Sequence, residues 1–508
     1  MDNSAISSNK RIAKNTLMLY LRMLLTMIVG FYTSRVVLNT LGVEDYGIYG
    51  VVGGVVAMMG FLNASMSGAT SRFLTFELGK GSHDRLAKTF SSALIIHMGI
   101  ALAVLLLAET VGLWFLCNKL VIPPGRMTAA HWVYQLSIAS AMMSITQVPY
   151  NATIIAHEKM DVYAYVEILN VTLKLLIVYL LTIGNFDKLI LYAWLMFGVS
   201  VTVMMVYRLY CIRKFFETHF HLTWDKNYIK PMLSFSGWDL YGNGCVTARQ
   251  QGTNFLINMF FGVALNAASS IATIINGLVS GLSFNIIQAF RPRIIIEYAN
   301  DNFSEMGNLL SNAVKYTILL FGCIFTPLFL EMPYAMHLWL GEVPYMSVIF
   351  CRILLVSCVI GLINSIVAIG IHATGNIKKI SLFSGSFFLF SLPVVYICYK
   401  LGFGVQYAYI ILIFSNICVL GSNVIILKKQ ITCLNVFGIL KGFVISAATI
   451  TVFSFPVVMI HYSLDEGFFR FCIVSLLHVF FIVSSTYFFV IDKSTRIFIR
   501  NKLCQKYR

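Results

Sequence analysis

The sequence predicts an all-α integral membrane protein of about fourteen transmembrane helices, arranged as two parallel-repeat six-helix lobes plus two C-terminal helices. Three observations predict this class. Of 508 residues, 58% are apolar and only 11% are charged, with a mean hydropathy of +0.80, whereas soluble domains usually carry about 25% charged residues. Long apolar segments recur along the whole chain. The first half of the chain also resembles the second at a nearly constant spacing.

Each apolar segment is long enough to be a span, since a membrane-crossing helix needs about 20 mostly apolar residues. The first segment follows a basic start and is too long for the core of a signal peptide, so we expect it to stay uncleaved. An even number of spans places both termini on one side of the membrane. The predicted spans are roughly 16–38, 46–70, 89–115, 129–155, 162–183, 188–210, 233–261, 264–290, 309–330, 346–372, 380–399, 404–427, 437–460 and 468–491.

Basic residues are distributed unequally between the two sides of this topology. With the N-terminus in the cytoplasm, 26 of the 37 Lys and Arg residues fall on the cytoplasmic side, Arg208 among them. Only Lys119, Arg126, Lys188 and Lys400 fall in outer loops. This bias predicts that both termini are cytoplasmic. It also accounts for the net charge of +16 without a nucleic-acid partner, and none is expected.

An internal repeat links the two halves. The stretch LNTLGVEDYGIYG from Leu38 corresponds to INMFFGVALNAAS from Ile257, which matches Gly42 with Gly262. Spans one to six therefore correspond to spans seven to twelve. Because six is even, both halves enter the membrane in the same sense, and substrate is expected between them.

The repeat predicts an N-lobe at 1–230 and a C-lobe at 231–430, followed at 431–508 by two extra helices and a basic cytoplasmic tail. No loop is long enough to fold as a separate domain. The sequence contains no phosphate-loop or dinucleotide fingerprint, which argues against an ATP-driven pump. Its eleven cysteines are scattered without paired spacing, so neither a metal nor a cofactor is expected.

The seventh segment, from about Leu233 to Phe261, carries an unusual polar face. Asp239, Asn243, Gln250 and Asn254 fall within about 60° of one another on a helix, and Arg249 lies beside them near the middle of the span. Hydrocarbon does not tolerate such a face. We interpret this segment as a helix that lines the cavity of a transporter.

Other polar residues inside spans have two readings each. In the fourth span Gln147 and Asn151 continue a stripe of serines, which suits either a cavity wall or close helix packing. In the fifth span Glu167 and Lys174 either act in gating or neutralise each other. Arg22 and Arg35 in the first span either face a cavity or extend to the interface. Together, the candidate substrate-binding residues are Arg22, Arg35, Gln147, Asn151, Lys174, Asn243, Arg249, Gln250 and Asn254, and the candidates for ion coupling are Asp239 and Glu167.

The sign of the charges inside the spans favours an anionic substrate. Seven basic residues outnumber three acids within the spans; they are Arg22, Arg35, Lys174, Arg249, Lys315, Arg352 and Arg470, against Glu109, Glu167 and Asp239. Arginine suits phosphate because its planar group can donate two parallel hydrogen bonds. An exporter of cationic drugs would instead need acids in its cavity.

Three stretches also resemble a known family: NTLMLYLRMLLTMIVGFYTSRVVLNTLGVEDYGIYGVVGGV, ATSRFLTFELGKG and QVPYNATIIAHEKMDVYAYVEI. They are similar to bacterial polysaccharide-biosynthesis (O-antigen or capsule repeat-unit) flippases. These belong to the multidrug/oligosaccharidyl-lipid/polysaccharide superfamily, which includes multidrug-and-toxin extrusion (MATE) transporters and the peptidoglycan lipid flippase. The resemblance covers essentially the whole chain and is strongest over the first 200 residues.

The resemblance implies a V-shaped cavity between two lobes in the bacterial inner membrane, open alternately to either side. It also implies an undecaprenyl-pyrophosphate-linked oligosaccharide as cargo, and cavity roles for Arg22, Arg35 and Arg249. Expected partners are this lipid-linked glycan, membrane lipids, H⁺ or Na⁺ as coupling ion, and polysaccharide-assembly proteins. The rival functions are a MATE-type multidrug or cation antiporter, a membrane-embedded glycan polymerase or ligase, and a scaffold of an assembly complex. The short outer loops disfavour the polymerase or ligase, so an enzyme is not expected.

Overall fold

A computed structural model describes residues 15–29, 60–118, 122–123, 125–181, 186–219, 225–340, 343–490 and 496, with isolated positions between 32 and 52. Throughout these residues the regular structure is helical, without a β-strand. In chain order, the helices are α1 (Asn15–Val29), α2 (Gly60–Lys80), α3 (His83–Asn118), α4 (Met127–Ala156), α5 (Met160–Leu180), α6 (Lys188–Lys214), α7 (Lys226–Phe261), α8 (Val263–Ala299), α9 (Phe303–Leu330), α10 (Met332–Leu340), α11 (Ser347–Thr374), α12 (Lys378–Lys400), α13 (Tyr407–Gln430), α14 (Val436–Ser463) and α15 (Phe468–Ser485).

These helices confirm the all-α membrane fold. From the third predicted span onward each span coincides with a helix, and α10 is a short addition before α11. The first two spans lie partly outside the described residues and overlap α1 and α2. Among the described residues, ten helices are long and apolar enough to cross a membrane. The long helices α4 and α7, with 30 and 36 residues, are not in that set. They carry the polar faces that the sequence analysis singled out.

Polar side chains fix where several apolar helices begin. At the start of α6, the Asp187 carboxylate accepts hydrogen bonds from the backbone N–H groups of Leu189 and Ile190, at 3.0 and 3.2 Å. Asn302 and Asn435 cap α9 and α14 in the same way. Such caps satisfy N–H groups that the first helical turn leaves without partners.

The chain divides into two units. The first covers Lys14–Leu240 and the second begins at Tyr241, so the division falls inside α7. Within the first unit, α4 packs against α2, α3 and α6, and α5 packs against α6. Buried aromatic side chains such as Phe90 and Tyr134 fill the space between these helices. The domain limits at 230 and 430 stay predictions.

The second unit repeats the helix packing of the first. Here α11 packs against α8, α9 and α13, and α12 packs against α13. These are the pairs expected if spans one to six correspond to spans seven to twelve. Each unit therefore has the same internal arrangement of neighbours, as the sequence repeat implies.

Left-handed backbone positions recur at the same spacing. Gly42 and Gly262, which the sequence alignment matches, have φ angles of 80° and 82°. Three further pairs with positive φ lie 220, 221 and 217 residues apart: Gly81 with Asp301, Gly125 with Met346, and Glu158 with Gly375. Because non-glycine residues rarely adopt positive φ, these four pairs are a conformational trace of the repeat.

The last two helices belong to the second unit and pack along α9. The Ser446 hydroxyl on α14 donates to the Lys315 carbonyl on α9 at 3.0 Å. At the end of α9, the fully buried Glu331 carboxylate contacts His461 of α14 at 2.7 Å and Arg470 of α15 at 3.0 Å. This buried network ties both helices to α9.

Candidate functional site

A polar cavity lies inside the second unit, between α7, α8, α11, α12 and α13. The helix α7 contributes Arg249 and three neutral polar side chains, and the other helices contribute mainly hydroxyl, amide and apolar groups. None of the described residues that line the cavity is acidic. The lining residues are Arg249, Gln250, Thr253, Asn254, Ser269, Thr273, Asn276, Leu354, Ser391, Val395, Ala408, Tyr409 and Leu412.

Arg249 is the only charged residue among them. Its guanidinium lies 5.1 Å from the centre of the Phe388 ring, a geometry that stabilises a cation on an aromatic face. The buried Nε atom of Arg249 has no hydrogen-bond partner. No carboxylate lies within 4 Å of the guanidinium among the residues that the structure describes. The charge of Arg249 is therefore uncompensated there.

Three other residues that line the cavity are joined by a short chain of hydrogen bonds. The Tyr409 hydroxyl donates to the Ser269 hydroxyl at 2.7 Å, and Ser269 in turn donates to the Asn254 side-chain oxygen at 3.1 Å. The buried side-chain oxygen of Asn276 has no partner. Buried polar groups are normally hydrogen-bonded, so the free donor on Arg249 and the free acceptor on Asn276 fit a polar occupant.

The volume of the cavity limits what that occupant can be. The cavity measures about 140 Å³. A water molecule takes about 30 Å³ in the liquid, and a cavity of about 150 Å³ holds one benzene molecule. The cavity therefore has room for one small polar group, such as a phosphate, or for a few waters. A whole oligosaccharide does not fit.

The structure brings together three of the residues predicted on the seventh span. Arg249, Gln250 and Asn254 line the cavity, whereas Asn243, two turns earlier, is exposed and does not. Asp239 is half-buried and lies in the first unit.

Sequence reasoning missed the contribution of α8. Ser269, Thr273 and Asn276 are spaced four and three residues apart, which places them on one face of that helix. The same periodic signal that identified the seventh span could have found them. Tyr409 and Ser391 are single polar residues in apolar segments, and no periodicity marks them.

Four of the other predicted residues, Gln147, Asn151, Glu167 and Lys174, belong to the first unit and are not among the residues that line the cavity. Gln147 donates to the Asn151 side-chain oxygen at 3.3 Å, and both are half-buried on α4. The Glu167 carboxylate accepts a hydrogen bond from Asn170 at 3.0 Å. Within the described residues Glu167 forms no ion pair with the half-buried Lys174, so the predicted mutual neutralisation is not seen.

The two arginines predicted on the first span are only partly covered by the structure. The Arg22 guanidinium lies 4.7 Å from the centre of the Tyr163 ring on α5. Arg35 lies outside the described residues. Whether Arg22 contacts a substrate stays a prediction.

Two of the seven basic residues counted inside spans already bind oxygen atoms of the protein itself. Arg470 pairs with the buried Glu331, an acid that directly follows the predicted ninth span. Arg352 donates to the carbonyl oxygens of Phe329 and Leu330, at 3.0 and 3.4 Å, at the end of α9. The excess of positive charge available to a substrate is therefore smaller than the sequence count, and Arg249 carries more of it.

Similarity to known proteins is found at the level of structure. No protein-family model and no curated protein matches the sequence. A crystal structure of MATE in the straight conformation aligns with a TM-score of 0.69 at 14% identity, covering 87% of this chain and 96% of that one. The chain has the fold of a MATE transporter. It is a multi-pass membrane protein.

Other solved structures give the same result. An outward-facing multidrug resistance MATE family transporter of the MOP superfamily aligns with a TM-score of 0.69 and 14% identity over 87% of this chain and 96% of that one. A MOP superfamily transporter from Pyrococcus furiosus Vc1, in which reverse polarity of the binding pocket suggests a different function, aligns at 0.64 and 15% over the same shares. At such identities the similarity to MATE proteins concerns the fold, and the substrate is a separate question.

Proposed function

We propose that this chain is a transporter that flips an undecaprenyl-pyrophosphate-linked oligosaccharide across the bacterial inner membrane for surface polysaccharide synthesis. The observation that carries the proposal is the cavity of the second unit. It holds one arginine without a counter-charge among neutral hydrogen-bonding groups. A cation kept without a partner inside a membrane protein is costly, and such residues commonly serve a substrate or ion.

In this proposal Arg249 binds the negatively charged phosphate of the cargo. The Phe388 ring supports the guanidinium from one side, which leaves its N–H groups free to bond phosphate oxygens. Gln250 and Thr253 supply further neutral hydrogen-bonding groups around the anion. Because the cavity accepts only a small group, the sugars and the polyprenyl tail would lie outside it.

The rival that the fold keeps open is a multidrug or cation antiporter. A MATE fold is shared with a multidrug resistance transporter, so the fold does not decide between the two functions. The sign of the cavity favours the flippase, because a cationic drug would meet Arg249 with no acid among the described lining residues. The polarity of a pocket is also what suggests a different function for the Pyrococcus furiosus transporter.

Charge removal at Arg249 tests the proposal. In a strain that lacks its own copy of this chain, wild-type expression should restore surface polysaccharide, and Arg249→Gln should reduce it at least about tenfold, the effect of losing one charge-assisted contact. Lipid-linked oligosaccharide should accumulate at the inner face. Lys379→Gln is the matched control, because Lys379 is an exposed cation on α12 outside the cavity.

Protein amount in the membrane is measured for each variant by immunoblot. Full polysaccharide export by an inserted Arg249→Gln variant would refute the role of this cavity. Resistance to cationic drugs on expression of the wild type, without any effect on surface polysaccharide, would favour the antiporter.

A further inference from the structure

A second uncompensated arginine lies in the first unit. Arg208, counted among the basic residues on the cytoplasmic side, lies within α6, six residues before the end at Lys214. At 1.5 Å per residue this is about 9 Å inside the helix. Its Nη2 donates to the Thr146 hydroxyl on α4 at 2.8 Å, and its guanidinium lies 5.4 Å from the centre of the Tyr150 ring.

The direction of this side chain is unusual. An arginine near the end of a spanning helix normally extends toward the headgroups, as the exposed Arg213 can. The helices α4 and α6 run in the same direction where they touch. Arg208 contacts Thr146, and about one turn further along both helices Cys211 donates to the Tyr150 carbonyl at 3.6 Å. Arg208 therefore lies against α4 two turns before that helix ends at Ala156.

The surroundings of Arg208 lack a counter-charge. No carboxylate lies within 4 Å of its guanidinium in the described part of the chain, and its buried Nε has no hydrogen-bond partner. The Thr146 hydroxyl donates its hydrogen bond to backbone carbonyls of its own helix. Toward Arg208 it therefore acts only as an acceptor. Gln147 and Asn151 directly follow Thr146 and Tyr150 in the α4 sequence, and their side chains are joined by a hydrogen bond of 3.3 Å.

We propose that Arg208, with Gln147 next to its Thr146 partner in the α4 sequence, forms a phosphate-binding site in the first unit. Thr146 and the Tyr150 ring hold the guanidinium against α4, and Gln147 has a second amide N–H that can donate. A phosphate monoester or diester matches the planar donor edge of arginine. The phosphate comes either from a lipid-linked pyrophosphate or from a phospholipid headgroup. The first source rests on the proposed function, whereas the second does not.

Two binding measurements on the full-length protein separate these sources. The first measures inorganic pyrophosphate binding in an uncharged detergent by ligand-dependent thermal stabilisation. It is done in the Arg249→Gln background, so that binding at the other cavity does not contribute. Adding Arg208→Gln should then weaken pyrophosphate binding about tenfold or more. Arg213→Gln, which removes an exposed cation from the same helix, should leave it unchanged.

The second measurement follows retention of phosphatidylglycerol by native mass spectrometry. The protein is taken from vesicles of phosphatidylethanolamine with or without phosphatidylglycerol. Arg208→Gln should reduce the retained phosphatidylglycerol relative to wild type and to Arg213→Gln. Arg208→Lys keeps the charge but loses the planar donors, so it should fold normally and bind with intermediate strength.

Each outcome decides the proposal. A loss confined to pyrophosphate supports the site with the lipid-linked source, and a loss confined to phosphatidylglycerol supports it with the headgroup source. If Arg208→Gln and Arg213→Gln behave alike in both measurements, Arg208 is not a phosphate ligand. That result leaves the proposed function standing, since the export test depends on Arg249 alone.

Discussion

At the scale of single residues, the state of the guanidinium separates two kinds of arginine in this chain. Arg352 and Arg470 are engaged by carbonyl or carboxylate oxygens. Arg249 and Arg208 form no ion pair among the described residues, and each has a buried Nε without a partner. An unpaired buried charge costs free energy. An anionic ligand would therefore be stabilised more by arginines of the second kind than by those of the first. Depth in the membrane alone does not make this distinction.

Asp187 offers a pH-dependent test at the end of a helix, outside the membrane-spanning segments. Its carboxylate forms an ion pair with the Arg126 guanidinium at 2.6 Å. Burial raises the pKa of the Asp187 carboxyl, but hydrogen bonds from Arg126 and from the N–H groups of Ile190 and Leu189 outweigh burial and hold the pKa below its ordinary value. A carboxyl of this kind stabilises the fold above its unfolded pKa of about 3.9 and ceases to do so as the pH falls through the lower folded pKa.

We expect Asp187→Asn to destabilise the protein by about 0.5–1 kcal/mol at pH 7, a modest value because the pair is partly exposed. Asparagine keeps the helix cap but loses the charge. The difference from wild type should close below about pH 4, as measured by thermal unfolding in detergent across a pH series. Asp84→Asn, which breaks the exposed pair with Lys88, should have a smaller effect. A pH-independent difference would argue against the ion pair.

At the scale of elements, the repeat requires the same left-handed backbone conformation at corresponding helix ends, although the residues there differ between the two units. Met346 precedes α11 with a φ of 67°, and its repeat partner Gly125 precedes α4 with a φ of 87°. A left-handed conformation costs a non-glycine residue roughly 1–2 kcal/mol, whereas glycine adopts it freely. The second unit therefore carries strain at a turn where the first unit does not.

Replacing Met346 with glycine should relieve this strain. We expect Met346→Gly to stabilise the protein by about 1 kcal/mol, measured as a higher midpoint of thermal unfolding in detergent. Met346→Ala removes the same side chain but keeps the strained backbone, so it should not stabilise. In the reverse direction, Gly125→Ala should destabilise by a similar amount, because a Cβ there meets no atom within 4 Å and only the φ angle opposes it. Equal stability of Met346→Gly and Met346→Ala would show that the turn is not strained.

At the scale of the whole molecule, the sequence predicts the architecture far better than the site. Apolar length locates the spans that the structure describes because the bilayer imposes one length on all of them. The repeat predicts which helices are neighbours within each unit. Polar periodicity finds Arg249, Gln250 and Asn254 because hydrocarbon excludes such a face from lipid.

What the sequence could not predict depends on pairing in three dimensions. The position of Arg208 in the sequence of α6 does not predict that its side chain contacts Thr146 on α4. Arg470 was counted as a free cation because its partner Glu331 is 139 residues away in sequence. No periodic pattern of polar residues in the sequence predicts that Tyr409 lines the cavity. Such contacts are set by tertiary packing, which one-dimensional periodicity does not record.

The Glu331 network decides whether α14 and α15 are a fixed part of the second unit. Glu331 is fully buried and accepts hydrogen bonds from Arg470, with His461 on its other oxygen. Glu331→Gln leaves the half-buried Arg470 without its counter-charge, and breaking such a pair by removing one partner typically costs about 3–5 kcal/mol when it is fully buried. We expect this variant to unfold at a lower temperature in detergent and to become cleavable by protease in the turn between α14 and α15. Glu305→Gln, at the start of the same helix α9, should change neither.

The double variant Glu331→Gln/Arg470→Gln should recover part of the lost stability, because it also removes the charge that Glu331→Gln leaves unpaired. If Glu331→Gln and Glu305→Gln were equally stable and equally protected, the two helices would be held to α9 by apolar packing alone.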